Sequence, residues 1–507
     1  MLTETEILRF ISEDSASEKK RLARVGQRYY EGEHDIRNYK LYYYNADGRL
    51  VEDKDRSNIK ISHPFFMELV DQATQYILSG SNGIIRSDLP DLQKYLDAYF
   101  NENEDFMAEL YDVISGAMAK GYEYAFAYKR ADGTTGFQCA DSIGVVEVRE
   151  KDTDDGCAYV IYWYVDRVDK GQKQIKRIQV WDAQMTWFYV QDNDGEIMLD
   201  ESESINPRPH IVKVDDNGDK YDGGGYGVIP FFRLDNCKKQ FSDLKLVKEL
   251  IDDYDLMSCG LSNNIQDASE YVVVVKSYQG DNMEELIRNI KTKKHIGVDG
   301  SEGGDVEFKT VDIPFQARQT KIEMDERNIY RFGFGLNTAG LKDTAATTNI
   351  AIKSAYSLLD MKAKKMEIRL KQFLRKILKL VIDEINERDG TDYQVSDVYF
   401  EFTHEVMSNA LENVQIELTQ AQEQQVRINT MLNVASQFDS ETLMQNLCEI
   451  LEIDYEEVKD KLPSEEDDLY SAQQILEQAQ TEQGISEEEI DTQNEVIQML
   501  QDLLDEI

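Results

Sequence analysis

The sequence has few cysteines, few histidines and no long apolar run, and each scarcity excludes a class of protein. Its five cysteines among 507 residues include no CxxC pair, which argues against a disulfide framework or a zinc site and fits a reducing compartment. No stretch approaches the roughly 18 consecutive apolar residues of a transmembrane helix. The N-terminus is acidic and lacks the cationic and apolar regions of a signal peptide, so none is expected.

Motifs for catalysis and metal binding are missing as well. The sequence contains no GxxxxGK[ST] phosphate loop, no HExxH or GxSxG motif and no histidines at metal-ligand spacing. The turns DNDGE (192–196) and DDNGD (215–219) resemble calcium loops but lack the bidentate glutamate, so hairpin turns are favoured. The acidic cluster IDDYD (251–255) could hold Mg²⁺ in a nuclease, yet a solvated helix face is the favoured interpretation. We therefore predict no enzyme, no metal and no cofactor.

Acidic residues dominate the composition, and they are unevenly distributed along the chain. The formal net charge is −42, and residues 411–507 contain 25 acidic and 3 basic side chains. The stretch 353–379 has the opposite balance, with nine basic and two acidic residues. Static DNA binding needs a basic surface that neutralises phosphates. Ordinary DNA binding is therefore disfavoured, and an acidic surface that keeps a large assembly soluble is favoured.

Length and periodicity indicate a folded α+β protein with about three domains. The pattern predicts helix up to about residue 35 and a hairpin over 42–53, which contains an Asp-Gly turn. A helix follows over 62–80, with Ser62 as its N-cap and Gly80 as its stop, and another covers 103–120. From 122 to 233, short β-rich runs separated by glycine turns predict a mostly antiparallel β region.

The next part of the chain predicts two long helices around a small insert. One helix covers 241–267 and the other 315–333, with apolar residues at helical spacing. The insert between them combines a helix with strands at 271–276, 295–298 and 306–311. Two helices that bracket a small insert would form a stalk with a tip.

A soft segment and a long helix come after this stalk. The segment NTAGLKDTAATTNIAIK (337–353) is rich in small and hydroxyl side chains. From Ile352 to Leu380 apolar residues follow alternating spacings of four and three, a heptad pattern that predicts a long packed helix. Beyond residue 409 the chain is predicted to be helical and acidic, with a partly disordered tail after Pro463.

Five stretches along the chain carry a resemblance to a known family. They are RYYEGEHDIRNYK, YYYNADGRLVEDKDRSNIKISHPFFMELVDQATQYILSG, NPRPHI, SDLKLVKELIDDYDLMSCGLSNNIQD and SLLDMKAKKMEIRLKQFL. In this order and spacing they resemble the portal proteins of tailed bacteriophages, in the branch found in siphovirus-type phages. The similarity covers about residues 25–405. It implies a ring, typically dodecameric, at one capsid vertex, through which a terminase motor drives double-stranded DNA inward and by which the DNA later leaves.

The resemblance implies a role for each predicted part and a set of partners. The partners are further copies of the chain, the large terminase, a head–tail adaptor, the major capsid and scaffolding proteins, and DNA in passage, with no membrane. The protein would be assembled in the host cytoplasm and reside in the virion at the portal vertex. The implied parts are a wing (1–240), a first stem helix (241–267), a clip (268–312), a second stem helix (313–333), a tunnel loop (334–350), the wing's spine helix and strand (351–408), and a helical crown with an acidic tail (409–507).

In this interpretation the soft segment is a tunnel loop that narrows the ring around DNA. Small side chains let the backbone reshape at low steric cost, and hydroxyls can contact phosphates without a fixed charge. A ring of strongly basic loops would instead hold DNA in place. Lys342 is the exception, and a ring of such lysines could contact successive phosphates. The DNA-facing candidates are Asn337, Thr338, Lys342, Thr344, Thr347, Thr348 and Asn349.

Three charged sets receive further hypotheses. Acidic side chains on the first stem helix could face the tunnel and repel DNA: Asp243, Glu249, Asp252, Asp253 and Asp255. Charged clip residues are candidates for contact with terminase or adaptor: Glu284, Glu285, Arg288, Lys291, Lys293 and Lys294. The spine helix has a basic face, which we expect to pair with a neighbouring subunit's carboxylates rather than to lie near DNA: Lys362, Lys364, Lys365, Arg369, Lys371, Arg375 and Lys376.

Two alternatives from other functional classes stay open at this point. A capsid-associated scaffold or adaptor would have no tunnel, and replacing 337–350 would then leave DNA transport unchanged. A metal-dependent DNA-processing enzyme would use the clustered carboxylates and would show metal-dependent cleavage, which we do not expect.

Overall fold

A computed structural model gives the structure of the protein. By its internal contacts the chain divides into one unit of Met1–Gly340 with Ala355–Glu405 and a second unit of Leu341–Ser354 with Val406–Ile507. The described residues are 2–404 except 46, 55, 81–82, 131–132, 150–155, 169–172, 193–194, 215–219, 269–271, 277–304, 310–314 and 338–348, and, beyond 404, residues 425–431, 445–446 and 448.

Mixed helices and antiparallel sheets confirm the α+β class. Within the described ranges no helix is long and apolar enough to cross a membrane. In the second unit, residues 425–431 are helical, as expected for that stretch. The α-helices are α1 (Glu4–Ser15), α2 (Glu18–Tyr30), α3 (Phe65–Ile77), α4 (Pro90–Leu96), α5 (Glu104–Lys120), α6 (Lys248–Ala268), α7 (Phe315–Gly333) and α8 (Asn349–Asp389).

The N-terminal stretch forms two helices rather than one, because two separate caps start them. Thr3 and Glu6 form a capping box at the start of α1, and the Ser17 side chain accepts a hydrogen bond from the backbone N–H of Lys20 to begin α2. Ile7 and Ile11 are buried, and both pack into a core of β-strand side chains.

Antiparallel pairing organises the β-strands, as the sequence predicted. The larger sheet has the order β10-β9-β8-β7-β6, with β11 also paired to β9, and a three-stranded sheet has the order β14-β4-β5. The predicted hairpin over 42–53 is confirmed by the pairing of β1 with β2. The strands are β1 (Tyr42–Tyr44), β2 (Leu50–Glu52), β3 (Ile85–Arg86), β4 (Tyr122–Lys129), β5 (Thr135–Ala140), β6 (Val145–Val148), β7 (Tyr159–Val168), β8 (Lys173–Trp181), β9 (Met185–Asp192), β10 (Ile197–Leu199), β11 (Arg208–Pro209), β12 (Val212–Val214), β13 (Lys220–Asp222), β14 (Phe231–Asp235), β15 (Val272–Lys276), β16 (Asp305–Lys309) and β17 (Tyr399–Phe400).

Two predicted helix starts are wrong. Ser62 does not cap α3, which begins after Pro64, because residues 57–63 are held in an extended conformation along another helix, as described below. The helix predicted over 241–267 begins as a 3-10 turn at Asp243–Leu246, and α6 starts at Lys248. Ser242 caps that turn by accepting the backbone N–H of Leu244 at 3.0 Å. Val247 then interrupts the helical backbone, with a φ of −128°.

The predicted long helix after the soft segment is confirmed as α8, which continues to Asp389. Its heptad positions are buried from Leu359 through Ala363, Met366 and Leu370 to Ile377. The strand predicted after it is the short β17, which pairs with β3. In the insert, β15 pairs with β16. The strand predicted at 295–298, the helix of the insert and most of the acidic C-terminal part lie outside the described residues.

Candidate functional site

Helices α6 and α7 pack side by side, and a lysine joins them. Lys321 on α7 lies 2.5 Å from a carboxylate oxygen of Asp253 on α6, and it also pairs with Asp325 on its own helix. Asp325 is buried, with 1% of its surface exposed. Loss of hydration opposes the charge on Lys321, but its hydrogen bonds to the two carboxylates outweigh that cost and raise its pKa. This ion pair links the two helices.

A fully buried carboxylate, Asp255, attaches α6 to the N-terminal part of the chain. Its two oxygens lie 2.7 Å from Nδ1 of His34 and 2.7 Å from Nδ1 of His63. A carboxylate only accepts, so both imidazoles donate from Nδ1. Burial opposes ionisation, but the hydrogen bonds from the two histidines outweigh it and hold the pKa of Asp255 below its ordinary value. In the described part of the chain, no group of three or more His, Cys, Asp or Glu side chains could hold a metal ion.

An extended segment, residues 57–63, runs along α6 and is held at regular intervals. Four residues of helix advance about 6.0 Å, and two residues of extended chain advance about 6.6 Å, so every second amide meets every fourth helical side chain. This match explains why the segment is not part of α3. The four backbone contacts join Ser57 N to Asp267 Oδ1 (3.3 Å), Ile59 N to Asn263 Oδ1 (2.7 Å), Ile61 N to Cys259 Sγ (3.2 Å) and His63 N to Asp255 Oδ1 (3.0 Å).

A second charged network holds the start of α6. Lys248 Nζ lies 2.7 Å from Asp35 and 2.7 Å from Asp252, and the Tyr29 hydroxyl donates to Asp252. Partial burial opposes ionisation of Asp35, but its hydrogen bonds, that to Lys248 foremost, lower its pKa to about 2. The base of the helix pair is therefore tied to α2 and the segment after it.

Five acidic residues of the first stem helix were predicted to face a tunnel. The structure leaves one of them freely exposed. Asp255 is fully buried, so the prediction that it could face a tunnel is wrong. Asp252 and Asp253 are engaged in the ion pairs above, and Asp243 lies 3.1 Å from Lys362 Nζ. Glu249 is exposed. Lys248 lies only four residues from Asp252, but the other groups that contact these carboxylates come from distant parts of the sequence, which helical periodicity cannot reveal.

The exposed face of α7 is a feature that the sequence analysis missed. Gln316, Gln319, Thr320, Glu323 and Arg327 are all exposed and recur at spacings of one, three or four residues. Uncharged polar groups make up the first half of this face. The spacing was visible in the sequence, but the sequence did not show which side of α7 packs against α6.

The start of the predicted tunnel loop is anchored firmly to α3. Leu336 exchanges two hydrogen bonds with the Gln72 side chain, at 2.9 and 3.1 Å. Phe334 turns the chain with a φ of +59°, and Gly335 lies so close to Leu69 that an added Cβ would fall 2.2 Å from its Cδ2. The chain thus leaves α7 from a fixed point.

The structure places few of the predicted loop and clip residues. Asn337 is partly buried and Asn349 begins α8. The remaining candidates lie outside the described residues: Thr338, Lys342, Thr344, Thr347, Thr348, Glu284, Glu285, Arg288, Lys291, Lys293 and Lys294.

Comparison with known proteins defines the class to which this fold and helix pair belong. A family model described as phage portal protein, SPP1 Gp6-like, matches residues 8–484. The chain belongs to this family of phage portal proteins. Members are structural components of the capsid rather than enzymes, which confirms the prediction that the chain has no catalytic role.

Two individual relatives carry the same name. The portal protein of Bacillus phage SPP1 is 28% identical over 356 residues, which cover 69% of this chain and 67% of that protein. The portal protein of Clostridium phage phiCD119 is 27% identical over 194 residues, or 38% of this chain and 42% of that protein. The chain was also compared with a solved structure, the neck of a native GTA particle computed with C12 symmetry. The two align over 76% of this chain and 89% of the chain in that structure, with 11% sequence identity. Its TM-score of 0.36 is too low to support a shared fold.

Proposed function

We propose that copies of the chain assemble into a dodecameric ring at one vertex of the capsid and conduct double-stranded DNA during packaging and ejection. The family match over residues 8–484 carries this proposal. It is supported by the α6–α7 pair, which brackets the β15–β16 pairing and leads into an anchored loop start. Functional loops are commonly positioned by a rigid scaffold, and the two helices would hold the tunnel loop in this way.

The parts of the chain take the roles that the resemblance suggested. In this proposal α6 and α7 form the stem, the insert between them is the clip, residues 334–350 are the tunnel loop and α8 is the spine of the wing. The clip would bind terminase during packaging and the head–tail adaptor afterwards. Residues 1–240 would form the remaining wing, and residues 409–507 the crown inside the capsid, where scaffolding and major capsid proteins surround the ring.

The tunnel surface of the stem would be only weakly charged. Most of the acidic residues of α6 are buried or paired, so the DNA-facing groups would be Glu249 and the polar face of α7 around Gln316, Gln319 and Thr320. A tunnel surface with few fixed positive charges forms few ion pairs with phosphates, and DNA would therefore meet little resistance as it slides past. We propose that the stem favours transport by lacking strong attraction for DNA, with repulsion as a minor contribution.

The test is electron microscopy in negative stain and native mass spectrometry on one preparation of the full chain. Rings with a central hole and a mass of about twelve subunits are the expected result. Particles that stay monomeric or dimeric at every protein and salt concentration would overturn the proposal and return attention to an adaptor without a tunnel.

A further inference from the structure

The β1–β2 hairpin presents large apolar side chains to solvent. Its two strands form a sheet of their own. In their register Tyr42 lies opposite Glu52 and Tyr44 lies opposite Leu50, so Tyr42, Tyr44 and Leu50 share one face. These three residues are 54%, 74% and 58% exposed, respectively. An isolated two-stranded hairpin is only marginally stable in water, and a cluster of exposed apolar groups marks an interaction surface.

The base of this hairpin is fixed to one side of α6. Tyr39 precedes β1 by three residues, and its carbonyl accepts a hydrogen bond from the Asn58 side chain at 3.4 Å. The next residue of the extended segment, Ile59, donates from its backbone to Asn263 Oδ1 at 2.7 Å. The hairpin therefore begins beside Asn263, near the C-terminal end of α6.

The opposite side of α6 carries an uncharged stripe, which consists of Tyr254, Leu261 and Ile265. At about 100° per residue, Leu261 and Ile265 each point away from Asn263, because each is two residues from it. All six charged residues of α6 fall on the other half of the helix, although 30% of the whole chain is charged. Tyr254 already packs edge-on against Phe65, with 4.7 Å between the ring centroids. The open part of the stripe is therefore half-buried Leu261 and Ile265, which is 52% exposed.

The hairpin base and the stripe thus lie at the same level of α6 and on opposite sides of it. Helix α7 packs on a third side between them, where Lys321 meets Asp253 and a Cβ added to Gly260 would lie 2.6 Å from Arg318 Nη1. With α7 facing the tunnel, as proposed above, the hairpin points to one neighbouring subunit and the stripe to the other. Repeating such a head-to-tail contact about an axis parallel to the stem closes a ring without a shift along that axis.

Dimensions and chemistry both fit a second copy of the chain as the partner. An α-helix with its side chains is about 10–12 Å across, and a strand of three residues spans about 10 Å, so a hairpin can reach the helix of an adjacent stem. DNA fits neither surface, because the apolar side chains of the hairpin and the stripe offer no cation to phosphates. Two apolar surfaces at one level of the same chain instead complement each other.

We propose that the β1–β2 hairpin of one copy packs on the α6 stripe of the next, with Tyr44 and Leu50 against Ile265. The inference rests on the proposed ring and names one of its subunit contacts. Tyrosine suits this position, because its ring supplies a large apolar area while its hydroxyl can stay in water at the rim of the interface.

The direct test is a cross-link between the two surfaces in the full chain. Tyr44→Cys/Ile265→Cys, oxidised after assembly, should give a ladder of linked subunits that extends to the closed ring on a denaturing gel. A short bis-maleimide should give the same ladder where the sulfur geometry prevents a disulfide. An equimolar mixture of Tyr44→Cys and Ile265→Cys chains should stop at dimers. Wild type and Val165→Cys/Ile265→Cys, which places the first cysteine at an exposed position of β7, should give no ladder.

A second test measures assembly by native mass spectrometry. Tyr44→Ser/Leu50→Ser should raise the concentration needed for ring formation by at least about tenfold, because every subunit contact loses apolar burial. Ile265→Glu should weaken assembly from the other surface, and Tyr44→Lys in the same chain should partly restore it, because opposite charges then meet. Val165→Ser/Met198→Ser, which removes two exposed apolar groups elsewhere, should assemble normally.

The outcomes separate this contact from the proposed ring. A ladder establishes the contact, whereas rings of wild type and of Tyr44→Cys/Ile265→Cys that give no ladder with either reagent overturn it and leave the ring standing. A link confined within one copy, seen as a monomer of altered mobility, also overturns the contact. If Tyr44→Ser/Leu50→Ser forms rings as readily as wild type but no longer packages DNA, the hairpin serves another protein and the contact is wrong. A wild-type chain that never assembles overturns both proposals.

Discussion

Replacing Asp255 should release the extended segment 57–63 from α6 without unfolding the protein. His63 gives Asp255 two hydrogen bonds, from its ring at 2.7 Å and from its backbone at 3.0 Å. Hydrogen bonds to a charged group contribute about 1.5–3 kcal/mol each, so Asp255→Ala should lower the free energy of local opening by at least about 3 kcal/mol. Since about 1.4 kcal/mol corresponds to a tenfold change, the backbone amides of Ile59 and Ile61 should exchange with solvent roughly a hundredfold faster.

Hydrogen exchange followed by mass spectrometry on peptides that cover residues 55–64 measures this effect. Asp255→Asn keeps one acceptor oxygen and should give an intermediate acceleration of about tenfold. Glu249→Gln alters an exposed carboxylate on the same helix and should change exchange by less than about threefold. Unchanged exchange at Ile59 and Ile61 in Asp255→Ala would refute the claim that this carboxylate fixes the segment.

Three further predictions follow from the same structure. Because the pKa of folded Asp255 lies below the ordinary 3.8, its stabilising effect is present above about pH 3.8 and is lost as the pH falls through the lower folded value, so the stability difference between wild type and Asp255→Asn should shrink in acid urea titrations. Gly335→Ala should destabilise the protein by about 1–3 kcal/mol in urea unfolding, since its Cβ would meet Leu69, and should cost less in a Leu69→Ala background. Glu249→Lys with Glu323→Lys should slow in vitro DNA packaging by at least about twofold at low salt, with rings intact, because the added lysines would contact phosphates.

Matched variants check these three predictions. A stability difference that persists unchanged below pH 3 would contradict the assignment of Asp255 as an ionised group. Gly224→Ala, where an added Cβ meets nothing within 4 Å, should be nearly neutral. If Gly335→Ala is equally neutral, the close approach to Leu69 does not constrain the loop start. Glu4→Lys with Glu13→Lys makes the same charge change on α1, and packaging slowed equally by this pair would show a general effect of charge.

Local signals along the chain predicted elements whose formation depends on neighbours in sequence. Asn103 and Gly121 sit at the two ends of α5, where a capping side chain and a left-handed backbone are needed, and the predicted helix over 103–120 is confirmed. The 42–53 hairpin and the buried seam of α8 were predicted for the same reason, because a turn dipeptide and a heptad spacing are local patterns. The five sequence stretches, in their order and spacing, also indicated the portal family, and the family match confirms this prediction.

Contacts between distant segments decided the remaining features, and these contacts leave no periodic signal. The sequence around Ser62 resembled a helix cap. In the structure, backbone amides of residues 57–63 instead donate to side chains of α6. In the sequence Asp255 resembled the other acidic residues of the same helix, and the tertiary structure shows it buried and paired with His34 and His63. The chain itself therefore determined the class of protein, its elements and its charge distribution. The tertiary structure alone decided which charges are neutralised internally and which stay available, because burial and pairing are set by groups that are far apart in sequence.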